Sequence, residues 1–268
     1  MVTSTSNNDG QGIRTPLLVN KTHLAHRLDK GLGSRLRIGL IQLATDQTSE
    51  HEFRRLFALP GVDFYQSRIW NDATITPETL ARMKQDVEAG MRVIMPNLRI
   101  DVAGFTCTSG AIVIGEDTVF SLMRKSRPGL ACSSPITGAM AGMRALGLTR
   151  IALLTPYVQA INDMMRDYIT DRGVSVPVMG SFNNPNDDEV ARITLESTKE
   201  AAIELARSQH VDGIFVSCTS LRTIDIIRDV EAKTGKPMLA SNPTQAWHLL
   251  RLGGIKDALP QWGRLFTV

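Results

Sequence analysis

The chain has 268 residues, 43% of them apolar and 5% aromatic, and 30 Lys and Arg against 27 Asp and Glu leave a net charge of +3. This composition is typical of a globular protein and excludes a chain that is disordered throughout. The small charge and the few aromatic residues give no pattern of nucleic-acid binding, and no apolar run reaches the roughly 18–20 residues that cross a membrane. We therefore expect a cytoplasmic protein whose partners include neither nucleic acid nor a membrane.

Residues 1–34 are rich in Ser, Thr, Asn and Gly and show no sustained periodicity, which predicts a flexible N-terminal arm. From residue 35 onward, short apolar runs alternate with longer stretches of helical period, a pattern typical of a parallel α/β sheet. The predicted strands are 36–42, 63–69, 101–106, 129–132, 150–154, 174–181, 212–217 and 237–240. The predicted helices are 48–58, 77–95, 111–125, 135–146, 158–171, 187–208, 221–234 and 243–252.

Two features of the sequence recur at nearly the same distance along the chain. The segment 37–41 resembles 150–154 at an offset of 113, and the Cys-Thr-Ser triplets at 107–109 and 218–220 are offset by 111. Similar offsets for separate segments indicate two copies of one unit. We predict an α/β fold of two pseudo-symmetric halves, 35–148 and 149–255, each with four parallel strands flanked by helices, and a C-terminal tail at 256–268. The active site is expected in the cleft between the halves.

Each Cys-Thr-Ser triplet follows a predicted strand and is expected to open a helix. The carboxyl ends of parallel strands are where open α/β sheets bind ligands. Free N–H groups at the start of a helix suit a carboxylate, and their partial positive charge lowers the pKa of a thiol. The hydroxyls of the same triplets add further hydrogen-bond donors, at Thr108, Ser109, Thr219 and Ser220. We therefore predict one site that contains both Cys107 and Cys218.

Two thiols on opposite faces of a small molecule can act in two ways. One thiolate can remove a proton from a carbon while the other thiol returns a proton on the opposite face, without metal or cofactor. Alternatively, one thiolate can add to a carbon–carbon double bond, allow rotation and leave. The third cysteine, Cys132, is expected to be a small buried core residue. Because no spacing of His and Cys residues fits a metal site, no metal is expected. No cofactor is expected either, because the sequence has neither a dinucleotide-binding glycine motif nor a GKS or GKT phosphate loop.

The repeated pattern of strand, Cys-Thr-Ser and helix, with Leu-Leu-Thr-Pro-Tyr at 153–157, resembles the aspartate/glutamate racemase superfamily. Within it, the chain is similar to the branch of maleate cis-trans isomerases, arylmalonate decarboxylases and ectoine-utilisation protein A. The stretches 215–223, 235–242 and 246–250 look closest to the ectoine-utilisation group. The resemblance covers residues 35–255 and implies two flavodoxin-like halves with a cofactor-independent racemase or isomerase site for a small carboxylic acid.

The resemblance also implies roles for individual residues. Cys107 and Cys218 match the two family cysteines. Thr108 and Ser109 match residues that hold a substrate carboxylate, and Tyr157 matches a tyrosine that reaches the same carboxylate. Decarboxylases of this branch carry glycine at the first cysteine position, so the presence of both thiols disfavours decarboxylation. Racemisation and cis-trans isomerisation both stay open.

One departure from the maleate isomerases concerns the substrate. They carry a Pro-Ser-Ser-Asn-like segment after the first strand, where this chain has Leu-Ala-Thr-Asp at 43–46. An ionised Asp46 accepts hydrogen bonds only, so it would repel a second substrate carboxylate and pair with an ammonium group, as in an amino acid. Alternatively, Asp46 caps the helix that follows. Thr45 and Asp46 are therefore candidates for the far end of the substrate, and Asn242, after the last strand, is either a helix cap or a substrate contact.

A non-catalytic binding or sensing protein on the same two-lobed fold is the alternative from another functional class. A cleft lined by hydrogen-bond donors binds acids whether or not chemistry follows. In either case the expected ligand is a small carboxylate. The chain is further expected to form a homo-oligomer, a dimer or a tetramer.

Overall fold

The computed structural model describes residues 19–268, and Leu32–Val268 form one compact unit. Of the arm predicted at 1–34, residues 1–18 lie outside the described residues, and residues 19–31 contain no helix or strand. Within the described part of the chain, none of the helices has the length and apolar character needed to span a membrane.

Each of the eight predicted strands is present, with ends that differ from the prediction by two residues at most. Most are short apolar runs bounded by turn residues, whereas β2 and β6 are more polar and only partly buried. The strands are β1 (Leu36–Leu43), β2 (Val62–Ile69), β3 (Val102–Phe105), β4 (Ala131–Ser133), β5 (Arg150–Thr155), β6 (Ser175–Ser181), β7 (Gly213–Val216) and β8 (Met238–Ala240).

The helices follow the predicted pattern, but three long predictions are each divided in two. Between residues 111 and 125, for example, Gly115 has a φ of 89°, a left-handed conformation that ends one helix and starts the next. The helices are α1 (Ser49–Leu56), α2 (Pro77–Arg82), α3 (Lys84–Val93), α4 (Thr108–Ile114), α5 (Glu116–Ser126), α6 (Pro135–Ala145), α7 (Gln159–Thr170), α8 (Asp187–Val190), α9 (Leu195–Ala206), α10 (Ile227–Thr234) and α11 (Ser241–Leu252).

The two sheets have the same topology. The first has the order β2-β1-β3-β4 and the second β6-β5-β7-β8, and every pairing in both is parallel. The central strands β3 and β7 are buried along their whole length, as expected for parallel strands covered by helices on both faces. The shared order confirms the predicted α/β fold of two pseudo-symmetric halves.

Helix α6 of the first half packs closely against α11 of the second. A Cβ atom at Gly138 would lie 2.4 Å from the Thr244 carbonyl oxygen, so only glycine permits this approach of the two backbones. At the start of α11, the Ser241 hydroxyl lies 2.8 Å from Thr108 Oγ1 and accepts a hydrogen bond from the Cys218 backbone N–H at 3.0 Å. The contact between the halves therefore brings the two Cys-Thr-Ser triplets together.

The C-terminal tail predicted at 256–268 packs on the second half. It contains two short 3₁₀ helices, Pro260–Trp262 and Arg264–Thr267, and buries Leu265 and Phe266. The Val268 carbonyl accepts a hydrogen bond from Trp247 Nε1 of α11.

Candidate active site

A pocket lies between the halves, beyond the carboxyl ends of the strands. Its polar wall combines side chains of both halves: Cys107, Ser109, Tyr157, Asp187, Cys218 and Thr219. Its apolar wall is formed by Leu43, Ile75, Leu80 and Met83. Both thiols therefore line the same pocket.

Cys107 is the N-cap residue of α4. Its Sγ accepts a hydrogen bond from the Gly110 backbone N–H at 3.3 Å and lies 3.9 Å from the Ser109 hydroxyl. The strand–cysteine–helix junction predicted for the first triplet is therefore present. Both contacts stabilise a negative charge on the sulfur more than a neutral thiol.

Cys218 differs from Cys107 in its backbone, and the prediction that the second triplet opens a helix is wrong. Helix α10 begins only at Ile227, and the residues between form turns. The reason is Glu52 of α1, whose carboxylate accepts hydrogen bonds from the backbone N–H groups of Thr223 and Ile224 at 2.6 and 3.0 Å. Because the Thr223 and Ile224 N–H groups are already hydrogen-bonded to a residue of α1, the segment before α10 is held in a non-helical conformation. The Ser220 N–H still donates to the Cys218 sulfur.

Tyr157 connects the two thiol-containing segments. Its side chain is 3% exposed, and its hydroxyl interacts with both the Cys218 sulfur and the Ser109 hydroxyl. Burial, together with the two neighbouring thiols, raises the pKa of Tyr157 well above its usual range. The phenol therefore stays protonated and serves as a hydrogen-bond donor in the pocket.

The prediction that the thiol pKa values are lowered is also wrong for the free pocket. Burial, with a smaller contribution from the negative charge of Asp187, raises the pKa of Cys107 and of Cys218 to about 12. The hydrogen bonds from Gly110 and Ser109 to Cys107 act in the opposite direction but are weaker than the loss of solvation. Both thiols are therefore neutral near pH 7 until a ligand changes their surroundings.

Asp187 is the most deeply buried charged residue among the pocket residues that the sequence did not reveal. It begins α8 and is 5% exposed, and its backbone N–H donates to the Ala73 carbonyl at 3.0 Å. Its carboxylate accepts hydrogen bonds from Ser220 Oγ at 2.8 Å and Thr45 Oγ1 at 2.5 Å. In the sequence it belongs to Asn-Asn-Pro-Asn-Asp-Asp at 183–188, which reads as an ordinary turn before a helix. Only the contact with the loop at residue 73 brings it to the thiols.

Several predicted site residues support the pocket without lining it. Thr45 and Ser220 hold Asp187, and Thr108 contacts Ser241. Asn242 is 1% exposed, and its amide donates to Glu52 Oε2 and to the Thr219 carbonyl, so it holds the second triplet from behind.

Asp46 is placed at the start of α1. Its Oδ1 accepts hydrogen bonds from the backbone N–H groups of Thr48 and Ser49 at 2.8 and 2.7 Å, and its side chain is not part of the pocket lining. Burial raises the pKa of its carboxyl. Of the two interpretations of this residue, the geometry corresponds to the helix cap.

The third cysteine and the metal-ligand candidates lie outside this arrangement. Cys132 is buried in β4, where its thiol contacts the Leu130 carbonyl at 3.4 Å. In residues 19–268, no group of three or more His, Cys, Asp and Glu side chains is arranged to hold a metal ion.

The comparisons with known proteins agree with this geometry. The family model for arylmalonate decarboxylase matches residues 114–266. The chain belongs to the arylmalonate decarboxylase family. It is 32% identical to arylmalonate decarboxylase of Bordetella bronchiseptica over 154 residues, which span 56% of this chain and 63% of that protein. It is also 26% identical to maleate isomerase of Nocardia farcinica over 239 residues, 85% of this chain and 94% of the relative.

A solved structure of the second relative has the same fold. It is a cysteine-to-serine mutant of Nocardia farcinica maleate cis-trans isomerase with a covalently bound succinylcysteine intermediate. The likeness has a TM-score of 0.77 at 24% identity and covers 87% of this chain and 98% of the other. These matches confirm the predicted superfamily branch and its fold. The closer resemblance to the ectoine-utilisation group stays a prediction.

Proposed function

We propose that the protein is a cofactor-independent racemase or isomerase of a small carboxylic acid, in which Cys107 and Cys218 are the catalytic residues. The observation that carries this proposal is that both thiols line one pocket. Ser109, Thr219 and Tyr157 line it as well and supply the hydroxyl donors that a substrate carboxylate requires.

Both thiols are neutral in the free pocket, so in the racemase reaction one of them first gives its proton to solvent. The resulting thiolate takes the proton from the carbon next to the substrate carboxylate. The electron pair of the broken C–H bond moves into the carboxylate and gives an enediolate, whose added charge the hydroxyl donors stabilise. The thiol of the other cysteine then gives its proton to the opposite face of the carbon. The product is the mirror-image acid, and the two cysteines have exchanged protonation states.

Cis-trans isomerisation is the second candidate, supported by the likeness to maleate isomerase along 85% of the chain. One thiolate sulfur forms a bond to an alkene carbon, and the electron pair of the double bond moves towards the conjugated carboxylate. The remaining carbon–carbon single bond rotates. Expulsion of the sulfur restores the double bond in the trans form.

Decarboxylation fits the pocket less well, although the family includes a decarboxylase. Loss of CO₂ leaves a carbanion that needs one proton donor, and a second thiol in the pocket has no part in that reaction. A non-catalytic binding protein needs neither thiol, because hydroxyl and N–H donors are sufficient to hold an acid.

The test is hydrogen exchange in deuterated water, followed by NMR, for a panel of small chiral and unsaturated carboxylic acids. We expect the wild type to exchange the α-hydrogen of its substrate or to interconvert its double-bond isomers. Cys107→Ala and Cys218→Ala should each lower turnover by at least about 100-fold, the contribution of a positioned acid or base. For racemisation, each variant should keep some exchange of one enantiomer.

Cys132→Ala is the matched control, because it removes a buried thiol outside the pocket. Its turnover should equal that of the wild type. Full turnover in either pocket variant would exclude racemisation, and full turnover in both would also exclude isomerisation by thiolate addition. Binding without exchange or isomerisation by the wild type would identify a binding protein.

A further inference from the structure

Asp187 is a buried carboxylate whose position is fixed from three sides. Ser220 of the second triplet and Thr45 of the first half each donate a hydroxyl hydrogen bond to one of its oxygens, at 2.8 and 2.5 Å. The backbone N–H of Asp187 bonds to the Ala73 carbonyl at 3.0 Å. Thr45 is itself held by the Asn71 amide at 2.7 Å. Such a set of contacts orients the carboxylate towards the pocket that it lines.

No positive charge faces Asp187 from the pocket walls. The side chains that line the pocket within residues 19–268 include two aspartates, two thiols and a phenol, but no Lys, Arg or His. The Asp46 carboxyl is also close enough to Asp187 for each to sense the other's charge. A buried carboxylate in such surroundings is stabilised by a ligand that brings a cation and is destabilised by one that brings another anion.

The other polar side chains of the pocket favour an anionic group. The Ser109 and Thr219 side chains and the Tyr157 phenol present hydroxyl groups, which donate hydrogen bonds to a carboxylate. The pocket therefore offers donors to an anionic group and two carboxylates, Asp72 and Asp187, to a cationic group. Asp187 is the more deeply buried of the two.

We propose that Asp187 binds the ammonium group of the substrate, so that the pocket accepts an amino acid in preference to a dicarboxylic acid. This inference rests on the proposed function and specifies its substrate class. It also transfers to Asp187 the role that the sequence suggested for Asp46, which caps α1 instead.

The ammonium group also has a consequence for the thiols. The negative charge of Asp187 raises the pKa of both Cys107 and Cys218. A bound ammonium group cancels that charge and makes a thiolate easier to form. A zwitterionic amino acid adds no net charge to the pocket, whereas a dicarboxylate adds two negative charges beside the thiols.

The experiment measures affinity by isothermal titration calorimetry for three probes: 2-aminobutyrate as both enantiomers, butyrate and succinate. The first two differ only in the ammonium group, and succinate carries a second carboxylate instead. We expect the wild type to bind 2-aminobutyrate about 10- to 100-fold more tightly than butyrate or succinate, the effect of one charge-assisted hydrogen bond. In Asp187→Asn, which keeps the shape of the side chain, this preference should disappear.

Asp188→Asn is the matched control, because the neighbouring carboxylate is exposed and contacts Gln47 at 3.1 Å outside the pocket. It should retain the preference, and circular dichroism establishes that both variants fold. Should Asp187→Asn not fold, Ser220→Ala, which removes one hydrogen bond to the carboxylate, is expected to reduce the preference at least threefold. An unchanged preference in a folded variant, equal wild-type affinity for 2-aminobutyrate and succinate, or no binding of 2-aminobutyrate would overturn the inference.

The proposed function is judged separately by cysteine-dependent exchange in deuterated water. Exchange or isomerisation of an acid without an ammonium group, lost in Cys107→Ala and Cys218→Ala, would sustain the proposed function while rejecting the role of Asp187. Selective binding of 2-aminobutyrate with no cysteine-dependent chemistry on any acid would support the role of Asp187 and reject the proposed function.

Discussion

Glu52 shows how one buried carboxyl can hold the second thiol-containing segment in place. It accepts backbone hydrogen bonds from Thr223 and Ile224 and a side-chain hydrogen bond from Asn242, whose amide also holds the Thr219 carbonyl. Burial raises the pKa of Glu52 to about 7. The residue has no contact with the pocket, so we assign it a positioning role.

The raised pKa of Glu52 predicts how stability depends on pH. The folded protein keeps this proton up to about pH 7, whereas the unfolded chain releases it near the usual value of 4.5. Unfolding therefore releases a proton between these values, and the stabilisation present at low pH is lost as the pH rises. Relative to Glu52→Gln, the free energy of unfolding of the wild type should fall by about 2–3 kcal/mol between pH 5 and pH 8. Urea titrations at several pH values measure the free energy of unfolding of both proteins.

Glu50→Gln, on the same helix, is the control for this measurement. Ion pairs with arginines lower the pKa of Glu50 to about 2, so its titration lies below the range tested. This variant should follow the wild-type pH dependence from pH 5 to pH 8. If the free energy of unfolding of Glu52→Gln and of the wild type changed equally with pH, Glu52 would be ionised over the whole range from pH 5 to pH 8.

At the scale of elements, the crossing of α6 and α11 sets the distance between the two triplets. Replacing glycine by alanine within a helix ordinarily stabilises it by about 1 kcal/mol. Gly138→Ala should instead lower the free energy of unfolding by about 1–3 kcal/mol, because the new methyl group meets the Thr244 backbone, which cannot move alone. Urea unfolding followed by circular dichroism measures the change.

Gly142→Ala, one turn further along α6, is the comparison. Its nearest neighbours would be the Leu239 and Leu265 side-chain ends, at 2.9 and 3.1 Å, which can rotate away. We expect it to be more stable than Gly138→Ala by at least about 1 kcal/mol. Equal free energies of unfolding for the two variants would mean that α6 and α11 move apart around the new methyl group at no cost in stability.

The elements also show what the sequence could and could not predict. Strand-length patterns between turn residues located the eight strands, and the repeat drew attention to both thiols, because these patterns are visible in the sequence itself. The late start of α10 depends on Glu52, which lies 171 residues away from Thr223 in the chain. The position of Asp187 depends in the same way on a loop of the other half. Contacts between distant segments leave no periodic signal, so these parts of the site required the structure.

For the molecule as a whole, loops of the two halves meet directly beside the pocket. Thr74 forms an antiparallel bridge with Asn186, and the Ile75 N–H donates to the Pro185 carbonyl at 2.9 Å. Together with the bond from Asp187 to Ala73, these contacts join the halves over the buried thiols. Access to the pocket then requires the bridge to open by local separation of the two loops.

Ile75→Pro tests this bridge, because proline lacks the N–H that bonds to Pro185. Loss of one hydrogen bond of about 1 kcal/mol should raise the open population about fivefold, and the rate of alkylation of Cys107 and Cys218 by iodoacetamide should rise in proportion. Peptide mass spectrometry measures each thiol separately, with Cys132 as an internal standard. Ile75→Ala shortens the side chain but keeps the N–H, so it should react more slowly than the proline variant. Equal rates in these two variants would show that the side chain, and not the backbone link between the halves, controls access to the thiols.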